Sequence, residues 1–393
     1  MRSKSKKPDT LVTHAGRAPS ANYGVVNPPV YHASTIIHPT VAALEAAQRN
    51  RYGQVTYGRI GTPTTFAFEE AVAALEGGHR AVAFPSGAAA CYAALLAFVK
   101  AGDHVLMTDS VYGPVRAFCT GFLQRFGVAT TFYDPRIGGD IAGLIRDNTR
   151  VIYLESPGSL TFEVQDVPAI VAIAKARGVT TVLDNTWSAP LFLKPLALGV
   201  DVSVIAATKY IVGHSDVMMG VAVGTERSFM PLREMASSLG HHAAPDDCYL
   251  ALRGLRTAAV RLRQHEAQGL ALARWLQARP EVERVLHPAL PEHPDHALWR
   301  RDFTGASGLF SIVLQSDIAK PATDAMLDGM ELFGMGFSWG GFESLMVPVH
   351  PERLRSATRW QGGPVLRLHA GLEDLGDLIA DLERGLARLA AAR

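Results

Sequence analysis

Two residues at the ends of strand-like runs could do chemistry together. The run Asp201-Val202-Ser203-Val204-Ile205 stops just before Ala207-Thr208-Lys209-Tyr210, and the run Thr180-Thr181-Val182-Leu183 stops on Asp184. In an α/β fold both side chains would sit at the carboxyl edge of the sheet, where such folds bind ligands. A lysine able to form a Schiff base, beside a carboxylate able to pair with a pyridinium nitrogen, is what pyridoxal phosphate needs. Lys209 could then move protons as a general acid and base once its amine is freed. The plainer alternatives are a solvated lysine and an aspartate that caps a helix or joins an ion pair. The apolar run before Lys209 and the small, polar Gly213-His214-Ser215-Asp216 after it suit a tight site.

Other residues fit around this pair. Pro85-Ser86-Gly87-Ala88 lies between a strand pattern and a helix pattern. Gly87 permits close approach, and a helix start offers free N–H groups to a phosphate, although a tight turn explains the motif equally well. Thr208 could donate its hydroxyl to the same phosphate or be an ordinary strand-end threonine. Tyr112, in Ser110-Val111-Tyr112-Gly113, could stack on the cofactor and assist proton transfer; a core or surface tyrosine is the alternative. If their segment is extended, Tyr57 and Arg59 point the same way and both could reach one phosphate, unless Arg59 is a loop arginine in solvent. Arg367 interrupts the strand pattern Val365-Leu366-Arg367-Leu368, where a buried guanidinium wants a carboxylate ligand or a structural ion pair. Ser338-Trp339-Gly340-Gly341 reads as a sharp loop that could close over that carboxylate. His287, His293 and His296 are broken up by prolines and lack a completing Cys or acid, so no metal site is expected there.

The elements that must position these residues follow from periodicity. Residues 1–61 are irregular, with one short helix expected at 40–50, and form an arm that must lie on another surface. A helix is predicted from Thr62-Pro63 to Gly77-Gly78, with Phe68, Val72 and Leu75 on one face. Strands are expected at 81–84, 104–107, 128–133, 150–155, 180–183 and 202–205, and helices at 88–99, 115–126 and 166–177. This alternation implies an α/β domain over 62–254 with a mostly parallel sheet and helices on both faces. From Leu255 a long helix to about Ala278 opens a smaller α+β domain, 255–393, with strands at 309–315 and 365–368 and a closing amphipathic helix.

Composition narrows the class. The chain has 393 residues, 48% of them apolar, and a net charge of +1, so neither nucleic acid nor a membrane surface is an expected partner. Three scattered cysteines, Cys91, Cys119 and Cys248, suit a reducing compartment, and a cytoplasmic location is expected. The basic run Arg2 to Lys7 precedes no apolar stretch, so it reads as a frayed end and not as a signal peptide.

Together these motifs resemble the Cys/Met-metabolism family of pyridoxal-phosphate enzymes, in the aminotransferase-like fold type I group. The resemblance runs from Thr13-His14-Ala15-Gly16 to Arg367-Leu368-His369-Ala370-Gly371-Leu372-Glu373, and its most specific part joins Asp184-Asn185-Thr186-Trp187 to Ala207-Thr208-Lys209-Tyr210. Glu155-Ser156-Pro157-Gly158-Ser159 and Ser338-Trp339-Gly340-Gly341-Phe342-Glu343 are similar to the bacterial cystathionine β-lyase branch. The resemblance implies that Lys209 is the Schiff-base lysine, that Asp184 pairs with the pyridine nitrogen and that Tyr112 stacks on the ring. It implies that Gly87, Ala88 and Thr208 hold the phosphate, with Tyr57 and Arg59 reaching the phosphate of a neighbouring subunit. Ser338, Trp339 and Arg367 become the substrate-binding residues, and the assembly a homotetramer built from two catalytic dimers. The implied activity is α,β-elimination on L-cystathionine, giving homocysteine, pyruvate and ammonia, as in methionine biosynthesis. A general cysteine-S-conjugate β-lyase, a γ-lyase or γ-synthase, and a cofactor-binding protein without turnover are the alternatives. Ser237 and Ser238 are small where the compared β-lyase has a tyrosine, so a wider distal pocket is expected.

Overall fold

A computed structural model describes residues 6–393, so most of the basic run at 2–7 lies outside the described residues. Seven strands make the first sheet: β1 (Arg80–Phe84), β2 (His104–Thr108), β3 (Ala129–Tyr133), β4 (Thr149–Glu155), β5 (Thr180–Asp184), β6 (Val202–Ile205) and β7 (Gly220–Gly224). Their order is β1-β7-β6-β5-β4-β2-β3. Strands β2 to β6 pair in parallel, while β7 runs antiparallel between β1 and β6. The carboxyl ends of β1, β2, β4, β5 and β6 therefore share one edge. Sequence patterning did not single out β7, a fully buried five-residue run bounded by glycines, because so short an apolar segment carries no period of its own.

Alternating strand residues build two apolar layers. Val82, Phe84, Val151, Tyr153, Val182 and Val204 face one side and bury the helix Gly87–Leu96. Ala81, Ala83, Ile205, Val221 and Val223 face the other, against the helices Pro63–Glu76 and Pro245–Gln277. Coverage on both faces explains why the strands read as continuous apolar runs. The helix Pro63–Glu76 starts with proline in its first turn and stops at Gly77, whose φ of +70° is the left-handed cap that glycine adopts without penalty.

The long helix was expected from Leu255 and instead begins at Pro245. Gly254 is not a breaker. A Cβ there would lie 2.5 Å from Ile211 O and would also strike Val212 O, so glycine at this point lets the helix press against the turn that follows Lys209.

The second sheet contains β8 (Val282–Leu286), β9 (Leu309–Leu314), β10 (Leu345–Val349) and β11 (Val365–His369), ordered β10-β11-β9-β8 and antiparallel throughout. Phe310, Ile312, Leu366 and Leu368 pack on Leu378, Leu382, Leu386 and Leu389 of the closing helix Leu375–Ala391. With period two along β11, Arg367 and His369 must point the other way, toward the first sheet.

In the N-terminal segment the helix Pro8–His14 lies on the long helix, where Arg256 Nη1 donates to Val12 O and Ala15 O at 2.7 and 2.8 Å. The helix Val41–Arg49 stands where one was expected. Between them Tyr23, Val25, Val26 and Ile37 are exposed, Ile37 at 90%.

Candidate active site

The strand ends converge as their order requires. Past β6, the chain turns tightly: Lys209 N donates to Ala206 O at 3.1 Å, and Gly213 N donates to Lys209 O at 2.8 Å. Lys209 Nζ donates to Ser338 Oγ at 2.6 Å and lies 5.3 Å from the centre of the Trp339 ring system. Ser338 O in turn accepts from Arg367 Nη2 at 3.0 Å. Gly340, at φ +90°, brings this loop onto the lysine: a Cβ there would sit 2.9 Å from Lys209 C. His369 Nε2 lies 3.1 Å from Gly340 N and 3.3 Å from Gly341 O, tying the ring to this loop.

Asp184 ends β5 and is buried. Its Oδ1 accepts from Thr186 N at 3.0 Å and from Thr186 Oγ1 at 2.5 Å, and among the described residues its Oδ2 has a hydrogen-bond contact only with the Cys91 thiol, at 3.7 Å. Tyr112 follows β2, and its backbone N donates to Glu155 Oε2 at 2.6 Å. Glu155 ends β4 in register with Asp184 on β5. The sequence reading gave Glu155 no chemical role. The signal was the one that marked Asp184, an apolar strand run closing on an acid.

Charge and burial link the cluster. Burial first, then the Arg367 guanidinium, push the Lys209 ammonium down to about 8, against the pull of Asp184. Burial pushes Arg367 itself down to about 10. Burial raises the Asp184 carboxyl against the hydrogen bonds from Thr186. Burial, then the neighbouring Asp184 charge, hold the Glu155 carboxyl well above the usual carboxylate range. The Tyr112 phenol is raised, first by burial.

The helix Gly87–Leu96 starts at the same edge. Ser86 Oγ accepts from Ala89 N at 3.1 Å, which leaves the Gly87 and Ala88 N–H groups without partners among the described residues. A Cβ on Gly87 would lie 2.5 Å from Ala206 Cβ, and one on Gly220 would strike Ser86 O, so glycines let this turn settle on the segment before Lys209. Thr208 Oγ1 donates to Met219 O at 3.1 Å and accepts from Met219 N at 2.8 Å. Its hydroxyl proton is thus committed to the backbone here, and phosphate binding would require it to turn.

Tyr57 and Arg59 stand apart from this cluster within the chain. Tyr57 is 46% exposed, and Arg59 Nη1 donates to Ser237 O at 2.9 Å while Arg51 Nη2 donates to Ser237 Oγ at 3.2 Å. Neither Tyr57 nor Arg59 bonds to Lys209, Asp184 or Gly87 among the described residues. His287 and His293 serve turns, their Nδ1 atoms accepting from Ala289 N and Asp295 N. Among the described residues no group of three or more His, Cys, Asp or Glu could hold a metal ion.

The residues fit pyridoxal phosphate. Two free N–H groups at a helix start would suit a phosphate, a buried carboxylate oxygen would suit a protonated ring nitrogen, and a lysine of lowered basicity would suit an aldehyde. The family model for Cys/Met metabolism PLP-dependent enzymes matches residues 9–387. This chain belongs to that Cys/Met-metabolism family. It is 47% identical to cystathionine beta-lyase MetC of Escherichia coli K12, over 98% of this chain and 99% of that one. It is 42% identical to an L-alanine/L-glutamate racemase of Wolbachia pipientis, over 98% of each chain. Its fold is similar to that of metB from Corynebacterium glutamicum, with a TM-score of 0.89, 32% identity and coverage of 98% and 99%. Membership accounts for the fold type and for the pyridoxal phosphate dependence.

Proposed function

We propose that this chain catalyses α,β-elimination on L-cystathionine, releasing homocysteine, pyruvate and ammonia. One observation carries the reading: Lys209 Nζ and Arg367 Nη2 meet on a single residue, Ser338. An amino acid whose carboxylate takes the Arg367 guanidinium in a bidentate grip would present its α-carbon to Lys209. When bound, pyridoxal phosphate supplies an electron sink for the charge that develops at that carbon. Lys209, lowered to about 8, is partly neutral near neutral pH and can take the α-proton, then return a proton to the departing thiolate. Asp184 would hold the proton of the ring nitrogen, and Tyr112 would stack on the ring with its hydroxyl near the moving proton. Gly87, Ala88 and Thr208 would hold the phosphate, and Ser338 and Trp339 would close over the carboxylate.

The relatives named for cystathionine β-lyase, 41–47% identical over nearly the full chain, support the choice of substrate. We further assign residues 1–61 to an arm that contacts a neighbouring subunit, 62–254 to the large domain and 255–393 to the small domain. The exposed Tyr23, Val25, Val26 and Ile37 support the arm's role, with Tyr57 and Arg59 completing the neighbour's phosphate site in a homotetramer. A cytoplasmic setting suits three buried, unpaired cysteines. No described helix is long and apolar enough to cross a membrane.

The test is to supply L-cystathionine to the protein loaded with pyridoxal phosphate and identify the products. Pyruvate with homocysteine is the expected result. 2-Oxobutyrate with cysteine would move the chain to γ-elimination, and cystathionine inverted at an α-carbon without keto acid would make it a racemase.

A further inference from the structure

The connection between β10 and β11 runs away from its own sheet and clasps the first. Asp109, whose side chain has no exposed surface, sits three residues before Tyr112. Its carboxylate accepts from three successive backbone amides of that connection: Ser356 N at 3.0 Å, Ala357 N at 3.0 Å and Thr358 N at 2.8 Å. Thr358 Oγ1 adds a bond at 2.9 Å, Ser356 Oγ one at 3.2 Å and Arg116 Nη1 one at 3.1 Å. Burial works against the charged carboxylate, yet the hydrogen bonds from Thr358 and Ser356 hold it below its ordinary value.

A second tie lies beside the first. Arg355, with 5% of its side chain exposed, pairs with Glu163 at 2.7 Å and also bonds to Thr161 Oγ1. That loop is fixed to the Tyr112 turn in its own right, because Ser159 N donates to Ser110 O at 2.7 Å. Leu354 meanwhile lies under Gly113.

The clasp joins the two halves of the site. One end is the turn that bears Tyr112. The other continues into β11, where Arg367 follows Thr358 by nine residues. Arg367 lies near enough to Tyr112 for its charge to oppose, as the smallest of several influences, the rise of the Tyr112 phenol. Their separation therefore depends on how firmly the two sheets are held, and three amides on one buried carboxylate make a rigid joint.

We propose that Asp109 is a positioning residue: by gripping residues 356–358 it fixes the Arg367 sheet against the Tyr112 turn and so sets the fit of the substrate carboxylate. This rests on the reading of Arg367 as the carboxylate ligand. Releasing the clasp loosens substrate binding more than it slows the chemical step, since neither Lys209 nor Asp184 touches it.

The experiment uses the full-length protein loaded with pyridoxal phosphate and two substitutions. Asp109→Asn keeps the shape but turns an N–H₂ against the amide donors; Thr358→Val removes one hydroxyl donor and leaves the carboxylate intact. Amide hydrogen exchange of the peptide covering 356–358 should speed up about tenfold or more in Asp109→Asn, with a smaller rise in Thr358→Val. KM for L-cystathionine should rise about tenfold in Asp109→Asn while kcat stays within about twofold. Should Asp109→Asn fail to fold, Thr358→Val alone decides, with both changes in the same direction. Unchanged exchange would overturn the clasp. Faster exchange with unchanged KM would make it a structural staple and overturn the positioning role. If the native protein does not turn over L-cystathionine, the proposed function fails separately. The visible circular dichroism of the bound cofactor, which reports the Tyr112 environment, then replaces KM: a changed band supports the clasp and an unchanged one overturns it.

Discussion

Replacing Arg367 with glutamine should raise the pH at which Lys209 becomes a nucleophile. In the cofactor-free chain, burial and then the Arg367 charge lower the lysine from 10.5 to about 8, with Asp184 opposing them. At pH 8 about half of the Lys209 amines are then neutral, against about 0.3% for a lysine at its ordinary value, a ratio of roughly 150. Glutamine removes the guanidinium charge but retains an N–H donor for Ser338 O, so the loop that faces Lys209 keeps its anchor. The assay is brief acetylation at a series of pH values between about 6 and 11, with the Lys209 peptide quantified by mass spectrometry against exposed lysines such as Lys320. Native protein should give a midpoint near pH 8, and Arg367→Gln a higher one. A native midpoint near that of free lysine would refute the argument from burial. A midpoint unmoved by Arg367→Gln would show that the guanidinium field does not reach Nζ.

Three further outcomes follow from the same structure. Lys209→Met should stabilise the cofactor-free chain near pH 7 by about 3 kcal/mol. Because the folded-state value lies below the unfolded one, the cost of the native lysine is full below pH 8, shrinks between 8 and 10.5 and vanishes above; urea midpoints of both chains at pH 7 and pH 11 check this, and an equal gap at the two would contradict it. Glu76, raised by burial to about 7 despite hydrogen bonds that include Asn185, contributes a stability that is present below pH 4.5 and lost as pH rises through 7, by about 3 kcal/mol. Glu76→Gln should flatten that slope while still accepting from Asn185 Nδ2, now at 3.0 Å from Glu76 Oε1; parallel pH profiles in thermal melts would count against it. Gly340→Ala should lower stability by about 1–3 kcal/mol, from a left-handed backbone and a Cβ pressed on Lys209, and should also release the Lys209–Ser338 contact; a variant as stable as the native chain would remove the steric account.

Much of the architecture was legible because strands buried on both faces leave plain apolar runs between glycine turns. The runs ending at Phe84, Thr108, Glu155, Asp184 and Ile205 all close at the edge where the site lies. Chemistry-bearing types at such ends, Gly87, Tyr112, Asp184 and Lys209, stand out against their apolar neighbours. Arg367 stood out for the same reason in β11. What stayed hidden lacked a local period or depended on remote partners. Strand β7 is short and glycine-bounded. The start of the long helix at Pro245 was masked by Gly254, which is small because Ile211 and Val212 press on it and not because the helix ends there. Glu155 looked like one more acid until its register with Asp184 and its bond from Tyr112 N were fixed.

Residue type and spacing by themselves determined which chemistry this chain can host: a lysine and an acid on adjacent strand ends, a glycine at a helix start and an arginine within a strand. Those features are local, since each is set by a few neighbours and by the two-residue or 3.6-residue repeat. Tertiary structure alone decided the geometry. It put Lys209 and Arg367, 158 residues apart in sequence, onto one serine, committed the Thr208 hydroxyl to Met219, and placed Asp109 where three amides of a distant loop converge. Such contacts depend on how two sheets pack against each other, and that packing is settled by buried surface summed over the whole molecule, which no short window of sequence records.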